Sequence, residues 1–280
     1  MDFSHSERAI AVGIGQRLRS LLRVDQHEKL ASLLAPFVGP TPAGAPFVGA
    51  TSADEANTRG NFFELRLLNS LSDLDLQGIE LDHRPPGLST NNNVDLFCPG
   101  RQLAVEAQCN RTIQVPSFQI GSNRVSHQRI QSIVHEHVYA TTDVAEDQAQ
   151  SLLAMVNSKC ASKHFDQLTA PVWLITEIFE GDYFRNFTSA SEHDHQTRLC
   201  WYFLRDAANA PRVPLRGVHE SKWPQNVLEK CPYVRFAFSE YAESDRLTHL
   251  YVIPRTEADR HGSADLHAAL GVSVEVLNAQ

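Results

Sequence analysis

An apolar stretch at residues 93–108 (NVDLFCPGRQLAVEAQ) contains side chains that could do chemistry. Asp95 lies on its first predicted strand, and Glu106 and Gln108 lie two apart on the second. Burying an uncompensated carboxylate in an apolar strand costs several kcal/mol. A divalent cation would offset that cost, so the pattern predicts a metal site on these strands.

The geometry of the turn decides which of these side chains meet. Pro99 and Gly100 predict a type II turn, because Pro presets its φ and Gly accepts a positive φ. Such a two-residue loop places Asp95 opposite Ala104, and Glu106 becomes the diagonal neighbour of Asp95, about 7–8 Å away at the backbone. Because side chains alternate faces along a strand, the two acids and the amide share one face. The other face points into a core and carries Leu103, Val105 and Ala107.

A third acid lies on a helix predicted for residues 61–74. Taking 100° per residue, Glu64 falls in the middle of an apolar face made by Leu67, Leu68, Leu71 and Leu74. A carboxylate on the core side of a helix is costly unless another group meets it. Asn61 and Glu64 also match a capping box, in which the Glu bonds back to the N-cap amide. Both interpretations stay open here, and they are compatible with each other.

Composition limits the class of protein. The chain of 280 residues is 42% hydrophobic and 21% charged, as in ordinary soluble domains. No run of about 18 apolar residues predicts a membrane helix, and the first residues lack the features of a secretory signal. Five cysteines without CxxC pairing predict reduced thiols, so we expect a cytoplasmic protein without a membrane partner. Signatures of serine hydrolases, dinucleotide-binding folds and P-loops are missing from the sequence.

The charge distribution contains one local basic stretch. The net charge of −8 does not indicate a nucleic-acid-binding protein. Between residues 99 and 131, however, four arginines accompany a single acid, and a nucleic-acid footprint needs only a local basic face. Solvated surface arginines would give the same pattern. The residues expected to contact nucleic acid are Arg101, Arg111, Arg124 and Arg129.

Hydrophobic periodicity and turn residues predict an α/β fold. Apolar spacing predicts helices over residues 1–33, 61–74, 123–140 and 143–159. Besides the hairpin, apolar runs predict strands over residues 79–84, 172–179, 199–204, 233–239 and 248–253. The order helix–strand–strand–strand–helix–strand favours a mixed central sheet flanked by helices.

A segment rich in Pro and Gly follows the N-terminal helix. The pentapeptide APFVG occurs at residues 35–39 and again at 45–49, and this density of Pro and Gly predicts a linker or extended arm. We predict an N-terminal helical segment with its arm, followed by one α/β domain that has a core and a C-terminal elaboration. The N-terminal segment with its arm is predicted over residues 1–50 and the α/β domain over residues 51–280. Within this domain, the core is predicted over about 58–180 and the elaboration over 181–280.

These residues and elements together resemble a known family. A helix with an inward Glu, a strand, D-(x)10-E-x-Q on a hairpin, a helix and a buried strand are similar to the core of the PD-(D/E)XK nuclease superfamily. The resemblance implies a restriction endonuclease-like core. It implies that Asp95 and Glu106 bind Mg²⁺ or Mn²⁺ and that Gln108 occupies the position of the motif Lys. It also implies that Glu64 supports the metal site.

Two positions depart from the family pattern. Val94 replaces the Pro before the Asp, a position that often varies within the superfamily. Gln108 replaces a Lys that would stabilise charge developing on the phosphate, whereas a neutral amide can only hydrogen-bond. Arg111 or Arg129 could supply the missing positive charge.

Three functions are compatible with these features. The first is that of an Mg²⁺-dependent endodeoxyribonuclease, which hydrolyses phosphodiester bonds in DNA during restriction, repair or phage defence. The second is that of a catalytically inactive nuclease-fold protein that binds nucleic acid or a protein partner, which Gln108 and the acidic net charge favour. The third is that of an α/β assembly protein whose N-terminal helix and arm pack on a partner. Many nucleases of this type form homodimers, so a second copy is another expected partner.

Overall fold

The computed structural model contains a seven-stranded mixed sheet with helices, which confirms the predicted α/β class. It describes residues 5–38, 52–89, 91–109, 138–178, 201–214 and 218–277. The chain divides into two units. Unit 1 consists of Met1–Arg111, Lys163–Phe179 and Tyr233–Gln280, and unit 2 consists of Thr112–Ser162 and Glu180–Pro232. The predicted domain bounds stay predictions.

The helices and strands are numbered along the chain. The described strands, all in unit 1, are β1 (Glu80–His83), β2 (Val94–Cys98), β3 (Leu103–Cys109), β4 (Val172–Ile178), β5 (Val234–Glu240), β6 (His249–Ile253) and β7 (Ser273–Val276). The described helices are α1 (His5–Leu21), α2 (His27–Val38), α3 (Ser52–Ser70), α4 (Asp73–Gly78), α5 (Val138–Ser162), α6 (201–208) and α7 (Glu257–Leu270). The helices α5 and α6 belong to unit 2. Within the described ranges, no helix has both the length and the apolar character that a membrane span requires.

The strands lie side by side in chain order. Neighbouring strands among β1, β2 and β3 are antiparallel, and β3, β4 and β5 are parallel. β6 is antiparallel to β5, and β7 is parallel to β6. β4 is buried along its whole length, as expected for an apolar central strand. The hairpin of β2 and β3 therefore joins the antiparallel part of the sheet to the parallel part.

A hydrophobic core in unit 1 joins α1, α2, α3 and α7 to one face of the sheet. In α1, Ile14 and Leu18 are one turn apart and fully or almost fully buried. The predicted core face of the hairpin is confirmed, because Leu103 and Val105 belong to this core and Ala107 packs against it. The N-terminal helices therefore bury their apolar faces in the same unit as the sheet.

Most of the predicted elements that fall on described residues are confirmed. The confirmed strands are those predicted over 79–84, 172–179, 233–239 and 248–253. The predicted helix 143–159 lies within α5, and the predicted helix 123–140 falls mainly outside the described residues. The strand predicted over 199–204 is wrong, because α6 occupies that position. Trp201 and Leu204 are buried three residues apart, which suits a helix, and periodicity alone cannot assign short apolar runs.

The N-terminal part differs from the predicted single helix and extended arm. α1 and α2 are separate helices, with residues 22–26 between them. Pro36 lies inside α2, so the first APFVG copy is largely helical rather than extended. Phe37 of this copy packs against Phe62 of α3, with ring centroids 6.0 Å apart. The second copy and the predicted boundary near residue 50 fall outside the described residues.

Helix α7 and strand β7 were not predicted from the sequence, although α7 has a clear start signal. The hydroxyl of Thr256 accepts a hydrogen bond from the backbone N of Asp259 at 3.3 Å. Oδ2 of Asp259 accepts one from the backbone N of Thr256 at 2.9 Å, which completes a capping box. The helix ends at Leu270 and is capped by Gly271, whose φ of 65° is a conformation that glycine adopts most easily.

Unit 2 contains buried amide side chains that satisfy backbone groups. Nδ2 of Asn226 donates to the carbonyl oxygens of Ala207, Ala208 and Ala210. These carbonyls lie at the C-terminal end of α6, where the last helical oxygens lack intrahelical partners. Oδ1 of Asn157 in α5 accepts a hydrogen bond from the backbone N of Leu228 at 2.8 Å. Unit 2 is thus organised by specific polar contacts as well as by apolar burial.

Candidate functional site

The hairpin of β2 and β3 has a longer loop than the sequence predicts. Residues 99–101 form a 3-10 turn, and Gln102 follows in the left-handed conformation with a φ of 51°. Phe97, rather than Asp95, therefore lies opposite Ala104. The predicted type II turn and its register are wrong. Because the register moves by two residues, every side chain nevertheless keeps its predicted face.

The observed register brings three acids into one row across the sheet. Leu96 pairs with Val105, and continuing by one residue puts Asp95 opposite Glu106. On the other side of β2 the same row continues to Asp82 of β1. Residues directly opposite each other have Cβ atoms about 4.5–5.5 Å apart. Asp95 and Glu106 are therefore closer neighbours than the sequence predicts.

The backbone departs from a regular ladder at this row. Oδ2 of Asp95 accepts a hydrogen bond from the backbone N of Ala107 at 2.6 Å. In a continued antiparallel ladder that N–H would bond to a backbone carbonyl of β2. On β1, Asp82 has a φ of 54°, which is unusual for a residue other than glycine. Sparsely populated backbone conformations of this kind cluster at functional sites.

Glu106 is buried beside a lysine that the sequence analysis does not predict. The Glu106 side chain is 0% exposed, and its Oε1 lies 3.2 Å from Nζ of Lys163. Nζ also donates to the backbone oxygen of Asn93 at 2.6 Å, just before β2. A buried carboxylate requires compensation of this kind. No spacing in the sequence connects Lys163 with the hairpin, so only the tertiary structure reveals this pair.

Glu64 lies on α3, on the core side as predicted. It is 7% exposed, and its Oε1 has no hydrogen-bond partner among the described residues. The predicted capping box is wrong, because α3 begins at Ser52 and Asn61 lies inside the helix. Nδ2 of Asn61 instead donates to the backbone oxygen of Leu33 at 3.3 Å. Leu74, predicted on the same apolar face, lies in α4 and is exposed.

The electrostatics of Glu64 connect it with the acid row. Burial raises the pKa of Glu64 well above its usual range, and the nearby charge of Asp95 raises it further. Lys29 opposes this rise, whereas the charges of Asp82 and Glu106 add to it. Glu64 is therefore close enough to the row to respond to its charges.

Lys29 of α2 belongs to the same electrostatic group. Its Nζ lies 2.9 Å from Oδ1 of Asp82. Burial acts to lower the pKa of Lys29, but the hydrogen bond to Asp82 and the charges of Glu64 and Asp95 shift it upward overall. Within the described chain, the candidate site thus combines four acids with two lysines.

Replacing Glu64 by glutamine is expected to stabilise the cation-free protein at alkaline pH and to have little effect at acid pH. Because the folded-state pKa is raised, the stability contributed by Glu64 is complete below its ordinary pKa of 4.5 and is lost as pH rises through the folded-state pKa. Glutamine has nearly the same shape and cannot ionise, so it escapes this loss. Melting temperatures of both proteins between about pH 5 and 9 measure the difference. If the difference in melting temperature between the two proteins were the same at every pH, the burial of an ionisable Glu64 would be contradicted.

Gln108 and Arg101 lie toward opposite ends of the hairpin. Gln108 is half-buried, pairs with Thr176 of β4 and shares the face of Glu106. Arg101 lies in the loop, and its Nε donates to Oδ1 of Asp75 at 3.2 Å. The structure therefore does not bring Arg101 to the acid row. The other predicted nucleic-acid contacts fall outside the described residues: Arg111, Arg124 and Arg129.

The donor atoms of the acid row suit a hard divalent cation. Mg²⁺ and Mn²⁺ prefer carboxylate oxygens, and Oε1 of Glu64, which has no hydrogen-bond partner among the residues described, is a further buried acceptor. In the described part of the chain, no three His, Cys, Asp or Glu side chains are grouped so that they could hold a metal ion. Mg²⁺ commonly binds through one or two carboxylates, several waters and substrate phosphate. The residues therefore fit a cation held by Asp95 and Glu106 with water and substrate oxygens.

Comparisons with protein-family models, with curated proteins and with solved structures gave no match.

Proposed function

We propose that this protein is a metal-dependent endonuclease that acts on DNA and has a restriction endonuclease-like core. The observation that carries the proposal is the position of Asp95 across from Glu106, one residue beyond the paired register of β2 and β3, where the Asp95 carboxylate accepts from the backbone N of Ala107. Glu64 adds the third acid that the resemblance to PD-(D/E)XK nucleases implies. The element order supports the same family, because α3, three antiparallel strands and α5 precede a β4 that is parallel to β3. A cytoplasmic location and a homodimer belong to the same proposal.

The proposed reaction is hydrolysis of a phosphodiester bond. A bound Mg²⁺ or Mn²⁺ would supply Lewis-acid stabilisation of the phosphate oxygens. Asp95 and Glu106 would hold the cation, and Gln108 would orient the attacking water by hydrogen bonding. The water oxygen bonds to phosphorus while the bond to the leaving sugar oxygen breaks. One proton of the water passes to solvent, and the leaving oxygen takes up a proton from solvent.

Incubation with long phage DNA, which contains most short sequences, tests this proposal. We expect cleavage with Mg²⁺ or Mn²⁺ and none after chelation with EDTA. RNA of similar length in parallel reactions tests the substrate class. Intact DNA with both metals would overturn the proposal, and cleavage of RNA alone would overturn the proposed substrate.

Replacing Gln108 by lysine should retain or raise the cleavage rate, by up to about tenfold, which corresponds to about 1.4 kcal/mol of transition-state stabilisation. The reason is that an ammonium at this position adds positive charge on the face of Glu106. Initial rates at saturating Mg²⁺ measure the effect. A complete loss of cleavage would show that Gln108 has some other role.

Nucleic-acid or protein binding without cleavage is the second candidate function. The neutral Gln108 favours it, because an amide adds no positive charge at the phosphate. This candidate predicts DNA binding by the wild-type protein with no cleavage in either metal. An assembly function of the N-terminal segment has less support, because α1 and α2 bury their apolar faces within unit 1.

A further inference from the structure

Lys163 places a positive charge at the candidate site. Its Nζ lies 3.2 Å from Oε1 of Glu106 and 2.6 Å from the backbone oxygen of Asn93. Asn93 is two residues before Asp95, so the ammonium lies between the start of β2 and the middle of β3. The Lys163 side chain is 25% exposed, whereas Glu106 is 0% exposed. The ammonium therefore lies between a buried acid and solvent.

Lys29, the other lysine of the described site, has a different partner. Its Nζ bonds to Asp82, whose side chain is exposed. Lys163, by contrast, contacts one of the two acids that are proposed to hold the cation. Of these two lysines, Lys163 is therefore better placed to act on a phosphate bound to that cation.

The positive charge of Lys163 suits it to stabilise a phosphate as well as to neutralise Glu106. Phosphodiester hydrolysis increases negative charge on the phosphate oxygens, and a preorganised donor in a partly buried site stabilises that charge. Gln108 can donate a hydrogen bond but contributes no charge. A lysine ammonium acts on phosphate as a point charge, so it need not come from the strand that carries the motif.

We propose that Lys163 supplies, at the scissile phosphate, the positive charge that Gln108 lacks. This inference rests on the proposed endonuclease function. In the structure the ammonium lies 3.2 Å from Oε1 of Glu106. With a cation held by Glu106, Nζ would instead be available to donate a hydrogen bond to a phosphate oxygen. The proposed role needs no proton transfer to or from Lys163, because the water gives its proton to solvent and the leaving oxygen takes one from solvent.

Replacing Lys163 by glutamine tests the proposal with two measurements. The single-turnover cleavage rate should fall by about 10²–10³-fold, the loss typical of removing one such donor. The affinity for Mn²⁺, measured by calorimetry without DNA, should stay the same or rise, because a competing positive charge is removed from Glu106. Arginine at this position keeps the charge and should retain most of the activity. The control Lys230→Gln, an exposed lysine of unit 2, should change neither quantity.

A double variant separates loss of charge from loss of structure. Adding Gln108→Lys to Lys163→Gln restores an ammonium near Glu106, and the rate should recover by at least about tenfold over Lys163→Gln alone. Wild-type cleavage by Lys163→Gln would overturn the role of Lys163 alone. A Mn²⁺ affinity that falls in step with the rate would also overturn it, because Lys163 would then only hold Glu106 in place. A wild-type protein that cuts no DNA would overturn the endonuclease function itself.

Discussion

Replacing Asp95 by asparagine is expected to lower the rate of DNA cleavage by about 10³-fold or more while the fold stays intact. The Asn side-chain oxygen can still accept the hydrogen bond from the backbone N of Ala107, which the Asp95 carboxylate accepts at 2.6 Å. The substitution removes the negative charge that would hold the cation. Loss of several kcal/mol of metal-assisted stabilisation corresponds to a rate factor of about this size. Single-turnover cleavage at saturating Mg²⁺, with thermal melting in parallel, measures both effects.

Three further variants test whether the loss of cleavage comes from the carboxylates that are proposed to hold the cation. Glu106→Gln should lose as much activity as Asp95→Asn, because both carboxylates are proposed to hold the cation. Asp95→Ala should lose the activity and also the hydrogen bond from the backbone N of Ala107, which a charged acceptor makes worth about 1.5–3 kcal/mol of stability. Asp166→Asn changes an exposed acid outside the acid row and should cleave at the wild-type rate. If Asp95→Asn cleaved DNA as fast as the wild-type protein, the proposed role of Asp95 as a ligand to the cation would be wrong.

Replacing Arg66 by methionine is expected to destabilise unit 1 by about 3–5 kcal/mol, the usual cost of breaking a buried ion pair. Nη1 of Arg66 donates to Oε1 of Glu177, and both side chains are 0% exposed. Nη2 also donates to Oγ of Ser244 and to the backbone oxygen of Arg246, each at 3.3 Å. Methionine fills similar space but removes the ion-pair partner of the buried Glu177 carboxylate. The free energy of unfolding in urea measures the loss.

The loss caused by Arg66→Met should depend on pH. Burial raises the pKa of Glu177 to about 7, and Arg66 opposes that rise. The stability contributed by Glu177 is therefore complete below its ordinary pKa of 4.5 and is lost as pH rises through about 7. Without Arg66 the folded-state pKa moves higher still, so the loss continues to grow with pH. We expect a larger difference from the wild-type protein at about pH 8 than at about pH 5.

Two controls identify the buried ion pair as the cause. Arg23→Met breaks an exposed ion pair with Asp25 and should leave the free energy of unfolding unchanged. Combining Arg66→Met with Glu177→Leu should recover most of the lost stability, because both charges of the pair are removed together and neither is left without its partner. Wild-type stability of Arg66→Met at both pH values would contradict this account of the pair.

The face of the hairpin acids was predictable from the sequence even though the turn was not. Alternation along a strand fixes which residues share a face, and a register error of two residues leaves that face unchanged. The loop conformation depends on Gln102 in a left-handed conformation, for which a Pro-Gly pair gives no signal. Asp95 and Glu106 were therefore placed on the correct face but as diagonal instead of direct neighbours.

Other features depended on tertiary structure or on ambiguous local patterns. The N-x-x-E pattern at Asn61 suits a cap, but it does not show that the helix already begins at Ser52. The aromatic run at Trp201 is compatible with a strand or a helix, because a short apolar run lacks a distinguishing period. The contact between Lys163 and Glu106 could not be predicted, because the two residues are distant in sequence and only the tertiary structure brings them together.

Titration of the wild-type protein with Mn²⁺ by calorimetry tests the central claim most directly, because it needs no knowledge of a recognition sequence. The claim is that Asp95 and Glu106, opposite each other on β2 and β3, hold a divalent cation. We expect the wild-type protein to bind Mn²⁺ saturably and Asp95→Asn to lose this binding. No binding by the wild-type protein, or equal binding by Asp95→Asn, would contradict the claim.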